Sequence, residues 1–121
     1  MSLIDTPGMA ELGRYLDLMA YRQNLITSNL ANIDTPGYRT RDILVSQEMD
    51  SLAADYFPDE AGHPFARQVR GLMQRPDGNN VSIDRESLLL TEVQLQYKIG
   101  IEFLKSELKT INEAINDGKP I

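Results

Sequence analysis

The chain has 121 residues, a length that fits one domain, and it contains no cysteine, which excludes disulfide frameworks, thiolate zinc clusters and thiol nucleophiles. Asp and Glu number 18 against 12 Lys and Arg, and the resulting net charge of −6 disfavours nucleic acid and anionic membranes as partners. No apolar run approaches the roughly 20 residues that a membrane-spanning helix needs.

The first predicted element is an amphipathic helix over residues 9–32. Its apolar residues recur at steps of three and four, with Gln23 interrupting the pattern once, so the helix should carry a narrow apolar stripe close to a coiled-coil seam. Thr6 is the predicted N-cap, with Pro7 at the first helical position. The residues of the stripe are Leu12, Leu16, Met19, Ile26 and Leu30.

Residues 33–83 form a middle segment without long periodicity. It begins with Asp-Thr-Pro-Gly at residues 34–37, which predicts a turn because proline disfavours the α conformation before it and glycine accepts a positive φ. A second turn is predicted at residues 76–80, where the flanking alternation is long enough only for a short β-hairpin. Much of residues 46–65 is expected to be mobile.

Charge is segregated within the middle segment. Residues 42–60 contain six acids and no Lys or Arg, whereas residues 63–75 contain three arginines and no acid. The simplest interpretation of the acidic run is a solvated face or a disordered loop. A sharper interpretation is an electrostatic contact with the arginine region of a neighbouring subunit, formed by Arg67, Arg70 and Arg75.

The last predicted element is a long helix over residues 84–116. Asp84 is the predicted N-cap, and Glu86 places negative charge in the first turn. Ile83 and Leu88 occupy the two positions of a hydrophobic staple. The apolar stripe of this helix again steps by three or four and consists of Val93, Tyr97, Ile101, Leu104, Leu108, Ile111 and Ile115.

These elements predict an all-α fold in one domain over residues 1–121. The two long terminal helices should pack as an antiparallel coiled coil or helical hairpin, joined by an irregular middle that holds at most a short β-hairpin. Each helix has only a narrow apolar face, and a two-helix hairpin buries too little surface to be securely stable alone. We therefore expect other copies of the chain, or relatives with the same helix pattern, to supply the missing burial.

No catalytic, cofactor or metal site is predicted. The single histidine, His63, follows three carboxylates, but no helix face brings these groups together, so a solvated loop histidine is the better interpretation. The segment that begins at Asp77 departs from the calcium-loop pattern at three positions, so a turn followed by a helix cap is favoured. The lack of a phosphate loop, nucleophile elbow or zinc-helix motif argues against an enzyme.

Two segments resemble the bacterial flagellar rod and hook protein family. Residues 28–38 match the family signature S-N-(I/L)-A-N-x-x-T-x-G-(Y/F), which follows an N-terminal helix. Residues 77–86 are similar to a D-G-N-N-V-x-x-D-x-E segment that precedes the C-terminal helix in one rod subunit of that family. The resemblance covers the chain except about residues 46–75, and its motif residues are Ser28, Asn29, Leu30, Ala31, Asn32, Asp34, Thr35, Pro36, Gly37, Tyr38, Gly78, Asn79 and Asn80.

The resemblance implies a structural, non-enzymatic subunit of the proximal rod of the flagellar basal body, which polymerises into the drive shaft that transmits torque. The terminal helices would pack as a coiled coil in the inner core of the rod. The implied partners are further copies of the chain, rod proteins of the FlgC, FlgF and FlgG type, the adaptor FliE at the MS ring, and the flagellar type III export apparatus.

The resemblance also implies a location in the periplasmic rod, reached from the cytoplasm without a cleaved signal peptide. The N-terminus agrees with that expectation, since it lacks a basic region followed by an apolar stretch of about 7–15 residues. A narrow export channel requires a nearly unfolded chain, so folding would be coupled to assembly.

In this interpretation each motif residue has an expected role. Asn29 and Asn32 would satisfy backbone groups where the first helix ends. Pro36 and Gly37 would fix the chain reversal, and Tyr38 would pack against the helices or a neighbouring subunit. A purely local helix stop would also explain the Asn, Pro and Gly residues. Two alternative functions stay open at this point, namely the companion proximal rod protein FlgC and a non-flagellar helical-hairpin binding module.

Overall fold

A computed structural model of the chain describes residues 7–50 and 64–118. Its two long helices pack against each other and are joined by a middle segment with little regular structure, which confirms the predicted fold class. The predicted N-cap Thr6 and the single histidine, His63, lie outside the described residues. In chain order the elements are α1 (Pro7–Ala31), β1 (Arg41–Asp42), α2 (Val45–Asp50), β2 (Arg67–Gln68) and α3 (Ile83–Asp117).

Helices α1 and α3 form an antiparallel hairpin. Asn29, near the end of α1, bonds to Glu86, near the start of α3, whereas Leu16 lies against Gly100 further along both helices. The approach at Gly100 is close, since a Cβ atom built there would lie 2.6 Å from Leu16 Cδ2. Because α3 has 35 residues and α1 has 25, the far end of α3 extends beyond residue 7.

The start of α3 differs in detail from the prediction. Ser82 is the N-cap, and its side chain accepts a hydrogen bond from the Arg85 N–H, so the predicted Asp84 cap is wrong. Both residue types favour the cap position, but the extended backbone of Ser82 begins the helix two residues earlier. The hydrophobic staple is also wrong, because Ile83 and Leu88 are both more than half exposed.

The middle segment contains a small antiparallel sheet and a short helix. Strands β1 and β2 pair with Arg41 opposite Gln68 and Asp42 opposite Arg67. Residues 76–78 form a turn without flanking strands, so the predicted β-hairpin is not at residues 76–80 and the strand pair lies elsewhere in the middle segment. Helix α2 was not predicted, and it includes residues 46–50 of the segment expected to be mobile. The remainder of that expectation falls mainly on residues 51–63, outside the described residues.

The hydrophobic core lies between α1 and α3. Met19, Ile26 and Val93 form its buried centre, and partly buried apolar side chains pack around them. A second flank of α1 is covered by the middle segment, because α1 also contacts β1 and α2. Leu18, roughly 100° around α1 from Met19, is only 2% exposed. It lies one turn from Arg14, which contacts α2, and one turn from Arg22, which contacts β1, so it is on this second flank, which the stripe of α1 did not predict.

Most of the predicted stripe residues are covered. Leu16, Met19, Ile26 and Val93 are buried, and the partly buried ones are Leu12, Leu30, Tyr97, Ile101, Leu104 and Ile111. Two predicted packing residues are corrected by the structure, since Leu108 is 41% exposed and Ile115 is 45% exposed. The antiparallel register explains both, because it places Leu108 level with the start of α1 and Ile115 beyond it.

Candidate functional site

The two family-like segments meet at the closed end of the helical hairpin. The Gly37 N–H donates to the Asp77 carbonyl at 2.9 Å, and the Asn80 N–H donates to the Tyr38 carbonyl at 3.3 Å. We call this contact the motif junction, formed by residues 28–42 and 75–86. Segments about forty positions apart in the sequence are thereby held together where the chain leaves α1 and enters α3.

Asn29 is a central side chain of the motif junction. It is fully buried, and its Nδ2 donates to the Arg41 carbonyl at 2.8 Å and to Glu86 Oε2 at 3.0 Å. Its Oδ1 accepts from the Tyr38 hydroxyl at 3.0 Å and from the Arg41 N–H at 3.1 Å. Asn29 therefore joins α1, β1 and α3, whereas the sequence predicted a role only at the end of α1.

Asn79 performs the equivalent role on the other segment. It is fully buried, and its Nδ2 donates to the carbonyls of Asn32 at 2.8 Å and Thr35 at 2.9 Å. Its Oδ1 accepts from the Val81 N–H at 2.8 Å. These bonds give a second partner to two carbonyls of the turn after α1, which also accept the Thr35 and Tyr38 N–H groups.

Asn80 anchors the strand side of the motif junction. Its Oδ1 accepts from the Thr40 N–H at 2.7 Å, and its carbonyl accepts from the Thr40 hydroxyl at 3.3 Å. Both residues are buried, Thr40 completely. The two adjacent asparagines thus bind different stretches of residues 28–42, which fixes the register between the two segments of the motif junction.

Two glycines allow the turns to approach each other. Gly37 has a φ of 75° and Gly78 a φ of 87°, a region that residues with a Cβ atom rarely adopt. A Cβ atom on Gly78 would also lie 3.3 Å from the Gly37 Cα. Gly37 therefore has the positive φ that was expected of the glycine in the predicted turn at residues 34–37.

Replacing Gly37 by valine is expected to lower the free energy of unfolding by about 2 kcal/mol, because a β-branched residue is strained at positive φ. Chemical denaturation of the purified chain would measure this change, and swimming in soft agar would report its effect on assembly. Gly13→Val is the matched control, since both positions have open space for a Cβ atom but Gly13 lies within α1 without a positive φ. Equal stability of the two variants would contradict the assigned turn.

A chain of ion pairs runs along one side of the motif junction. The Asp42 carboxylate lies between two arginines, with Arg22 Nε at 2.9 Å and Arg85 Nη2 at 3.0 Å. Arg85 also contacts Glu86 Oε1 at 2.5 Å, and Glu86 is fully buried. Burial alone would raise the pKa of Asp42, but hydrogen bonding and charge from Arg22, with further bonds from Ile43 N–H and Arg85, lower it below 3.8.

The lowered pKa of Asp42 predicts a specific loss of stability in acid. A carboxyl group with a depressed folded-state pKa stabilises the fold above its ordinary value of 3.8, and this contribution disappears as the pH falls through the lower folded value. Urea denaturation from pH 7 to pH 2 should show that loss. The Asp42→Asn variant should be less stable at pH 7 and should lose less on acidification; equal losses in both chains would contradict the ion-pair assignment.

Two of the six acids in the acidic run are not on a solvated face, whereas Asp50 is exposed as the composition of the run suggested. Asp42 and Glu48 are both buried, and Glu48 Oε1 accepts from the Phe65 N–H at 3.1 Å. Arg75 donates to the Ile33 carbonyl within the same chain, while Arg67 donates to Gln47. Asp55, Asp59 and Glu60 lie outside the described residues.

The remaining motif residues have smaller roles. Asn32 Nδ2 donates to the Ser28 carbonyl at 2.8 Å, as expected for a residue that satisfies the end of α1, and Thr35 Oγ1 donates to Asn32 Oδ1. Leu30 packs against the core, and its neighbour Ala31 is exposed. Asp34 and Pro36 are exposed in the turn, and their side chains form no hydrogen bond or ion pair with another described residue.

Four residues in or beside the motif junction were missed as site residues, although Glu86 was predicted in the first turn of α3. Their signal in the sequence is weak, because each looks like an ordinary surface charge or hydroxyl until the fold joins Thr40 to Asn80 and brings the three charged residues into ion pairs. They are Arg22, Thr40, Asp42 and Arg85. Within residues 7–50 and 64–118 no group of three potential metal ligands occurs. None of the helices in these two ranges has an apolar stretch that could span a bilayer.

Comparison with known proteins points to the same part of the chain. The family described as "Flagella basal body rod protein" matches residues 18–39, which are the second half of α1 and the first turn of the motif junction. The chain is 30% identical to flagellar basal body rod protein FlgB of Salmonella typhimurium, over 85% of this chain and 88% of that protein. It is 29% identical to FlgB of Aquifex aeolicus, with 84% and 87% covered, and 28% identical to FlgB of Bacillus subtilis, with 81% and 84% covered.

Proposed function

The chain belongs to the family of the flagellar basal body rod protein FlgB, a structural rod component of the flagellum, and from this premise we propose that it polymerises in the proximal rod. In that position it would form part of the drive shaft that transmits torque for motility. The relatives named above are all FlgB proteins, which favours this subunit over its companion FlgC and over an unrelated binding module.

The motif junction is the observation that carries this proposal. Asn29 and Asn79 hold the turn after α1 against the start of α3 through buried hydrogen bonds, so the two helices leave the junction in a fixed direction. A subunit that transmits torque needs such rigidity, because mobile connections would absorb the applied force. The polar side chains of the junction bind other parts of the same chain and do not converge on a space where a substrate could bind. This supports a non-enzymatic role.

The unpartnered surface of α3 supports polymerisation. Several large apolar side chains of this helix are more than half exposed, although α1 covers its opposite face. An exposed apolar patch on a small chain commonly marks a contact with another protein. Neighbouring subunits in a rod would cover this surface and would supply burial that the helical hairpin lacks on its own.

We propose a location in the periplasmic part of the basal body and export through the flagellar type III apparatus. The partners would be further copies of the chain, rod proteins of the FlgC, FlgF and FlgG type, and the adaptor FliE at the MS ring. The small helical core and the absence of cysteine support passage of an unfolded chain, since no disulfide has to be reduced first.

Deletion of the gene tests the proposed function. We expect deletion cells to be unable to swim and to lack assembled rods in electron micrographs of purified basal bodies. Expression of the unaltered chain should restore both, Gly13→Val should restore them as well, and Gly37→Val should restore them poorly. Normal rods and normal swimming in the deletion strain would overturn the proposal.

A further inference from the structure

Helix α3 carries a second apolar surface on the face opposite to α1. Leu88, Leu95, Ile99 and Phe103 are between 56% and 61% exposed and follow each other at steps of seven, four and four. At 3.6 residues per turn they form one stripe about 22 Å long. We call it the outer stripe. Two exposed acids, Glu92 and Glu102, lie along it and supply carboxylates to this apolar surface. Glu102 also forms an exposed ion pair with Lys105, of the kind that contributes little to stability.

An open groove with the opposite charge lies beside the two-stranded sheet. Its volume is about 1110 Å³, and its lining includes the exposed apolar side chains of Leu44 and Phe65. Arg39, Arg67 and Arg70 line it as well and are exposed. Asp42 also lines the groove, but its carboxylate is paired with Arg22 and Arg85. We call this surface the arginine groove.

The three groove arginines differ in the contacts that they make with the rest of the described chain. Arg67 lies over the Phe65 ring at 5.4 Å and donates to Gln47. Arg39 and Arg70, in contrast, form no ion pair with the described residues 7–50 and 64–118. An exposed apolar groove with unneutralised cations is suited to an apolar helix face that carries carboxylates.

We propose that the outer stripe of one copy docks in the arginine groove of a second copy. The apolar side chains of both surfaces would be buried together, while Glu92 and Glu102 would approach Arg39 and Arg70. Stripe-to-stripe pairing would instead bring like charges together. The stripe runs along a continuous helix that α1 holds on its other face, so one chain does not reach its own groove.

This contact is heterologous, which means that each copy uses two different surfaces. One end of a row of bound copies then keeps a free stripe and the other end a free groove, so addition continues at the ends when the rotation between copies does not close a ring. The inference deepens the proposed polymerisation and rests on it. It identifies the second copy, and not a different rod protein, as the occupant of the groove.

Disulfide cross-linking tests the contact, because the natural chain has no cysteine. Leu72→Cys places a thiol in the groove and Ile99→Cys places one on the stripe, whereas Asn112→Cys is exposed on α3 away from the stripe and serves as the control. Under mild oxidation, mixed Leu72→Cys and Ile99→Cys chains should cross-link at least about tenfold faster than mixed Leu72→Cys and Asn112→Cys chains, since docking raises the effective thiol concentration.

Charge reversal provides the second arm of the experiment. Introducing Arg39→Glu and Arg70→Glu into the groove variant should remove the cross-linking advantage, and so should Glu92→Arg with Glu102→Arg in the stripe variant. Mixing both charge-reversed chains should restore it, because the opposite charges face each other again. Circular dichroism would verify that the helices of every variant are retained.

Two outcomes would overturn the inference. Rapid cross-linking of Ile99→Cys with itself would show stripe-to-stripe pairing. No advantage of the groove and stripe mixture over the control would mean that another protein, or another part of the chain, occupies the groove. Either outcome leaves the proposed function standing if the deletion strain lacks rods, so the two failures are distinguishable.

Discussion

Replacing Asn29 by aspartate is expected to lower the free energy of unfolding by about 3 kcal/mol, because the new carboxylate would face the buried Glu86 carboxylate. The substitution keeps the shape of the side chain but removes the donor that binds Glu86 Oε2 and the Arg41 carbonyl. Chemical denaturation of the purified chain would measure the loss. Cells that carry this variant should assemble few rods, because the brace between α1 and α3 is weakened.

The same substitution has a characteristic pH dependence. Two carboxylates in contact cannot both ionise easily, so the pKa of the new aspartate would be raised in the folded chain. The loss of unfolding free energy in the variant, relative to the natural chain, should therefore be largest at neutral pH and should decrease as the pH falls toward about 4. Asn24→Asp, at an exposed position of the same helix, is the control. Equal effects at both positions would contradict the role of Asn29.

Replacing Asn79 by alanine is expected to lower the free energy of unfolding by about 3 kcal/mol, because three hydrogen bonds are lost and the buried Val81 N–H loses its acceptor. The carbonyls of Asn32 and Thr35 would keep only their bonds from the Thr35 and Tyr38 N–H groups, and the Val81 N–H would lose the Asn79 Oδ1 acceptor. Urea denaturation would measure the change. Hydrogen exchange should also accelerate at residues 32–38 more than at the middle of α3, since the turn loses its anchor.

Asn112→Ala is the matched control for this experiment. Asn112 is exposed in α3, where alanine is the better helix former, so its replacement should leave stability unchanged or slightly raise it. A loss at Asn79 no larger than that at Asn112 would show that the motif junction does not hold the hairpin together.

The long helices could be predicted because their signal is local and repeated. Apolar residues at steps of three and four defined the seam between α1 and α3, and the buried Met19, Ile26 and Val93 lie on it. The turn at Gly37 could be predicted for a similar reason, since proline and glycine restrict or permit backbone angles by themselves. The likeness of two short segments to the rod family then identified residues that the structure brings together.

What the sequence could not predict depends on contacts between distant segments. Asp42 lies in a run of acids and looks solvated, yet the fold buries it between Arg22 and Arg85. Leu18 lies off the main stripe, on a second flank of α1 that the middle segment covers. The strands have two residues each, too few for any alternation to show.

The location of this chain in the rod is tested most directly by mass spectrometry of basal bodies purified from swimming cells. We predict that peptides from the chain are present in a constant ratio to peptides from other rod proteins. We also predict that they are strongly reduced in basal bodies from cells that carry Asn29→Asp but not from cells that carry Asn24→Asp. Intact basal bodies that contain none of this chain would contradict its assignment as a structural subunit of the rod.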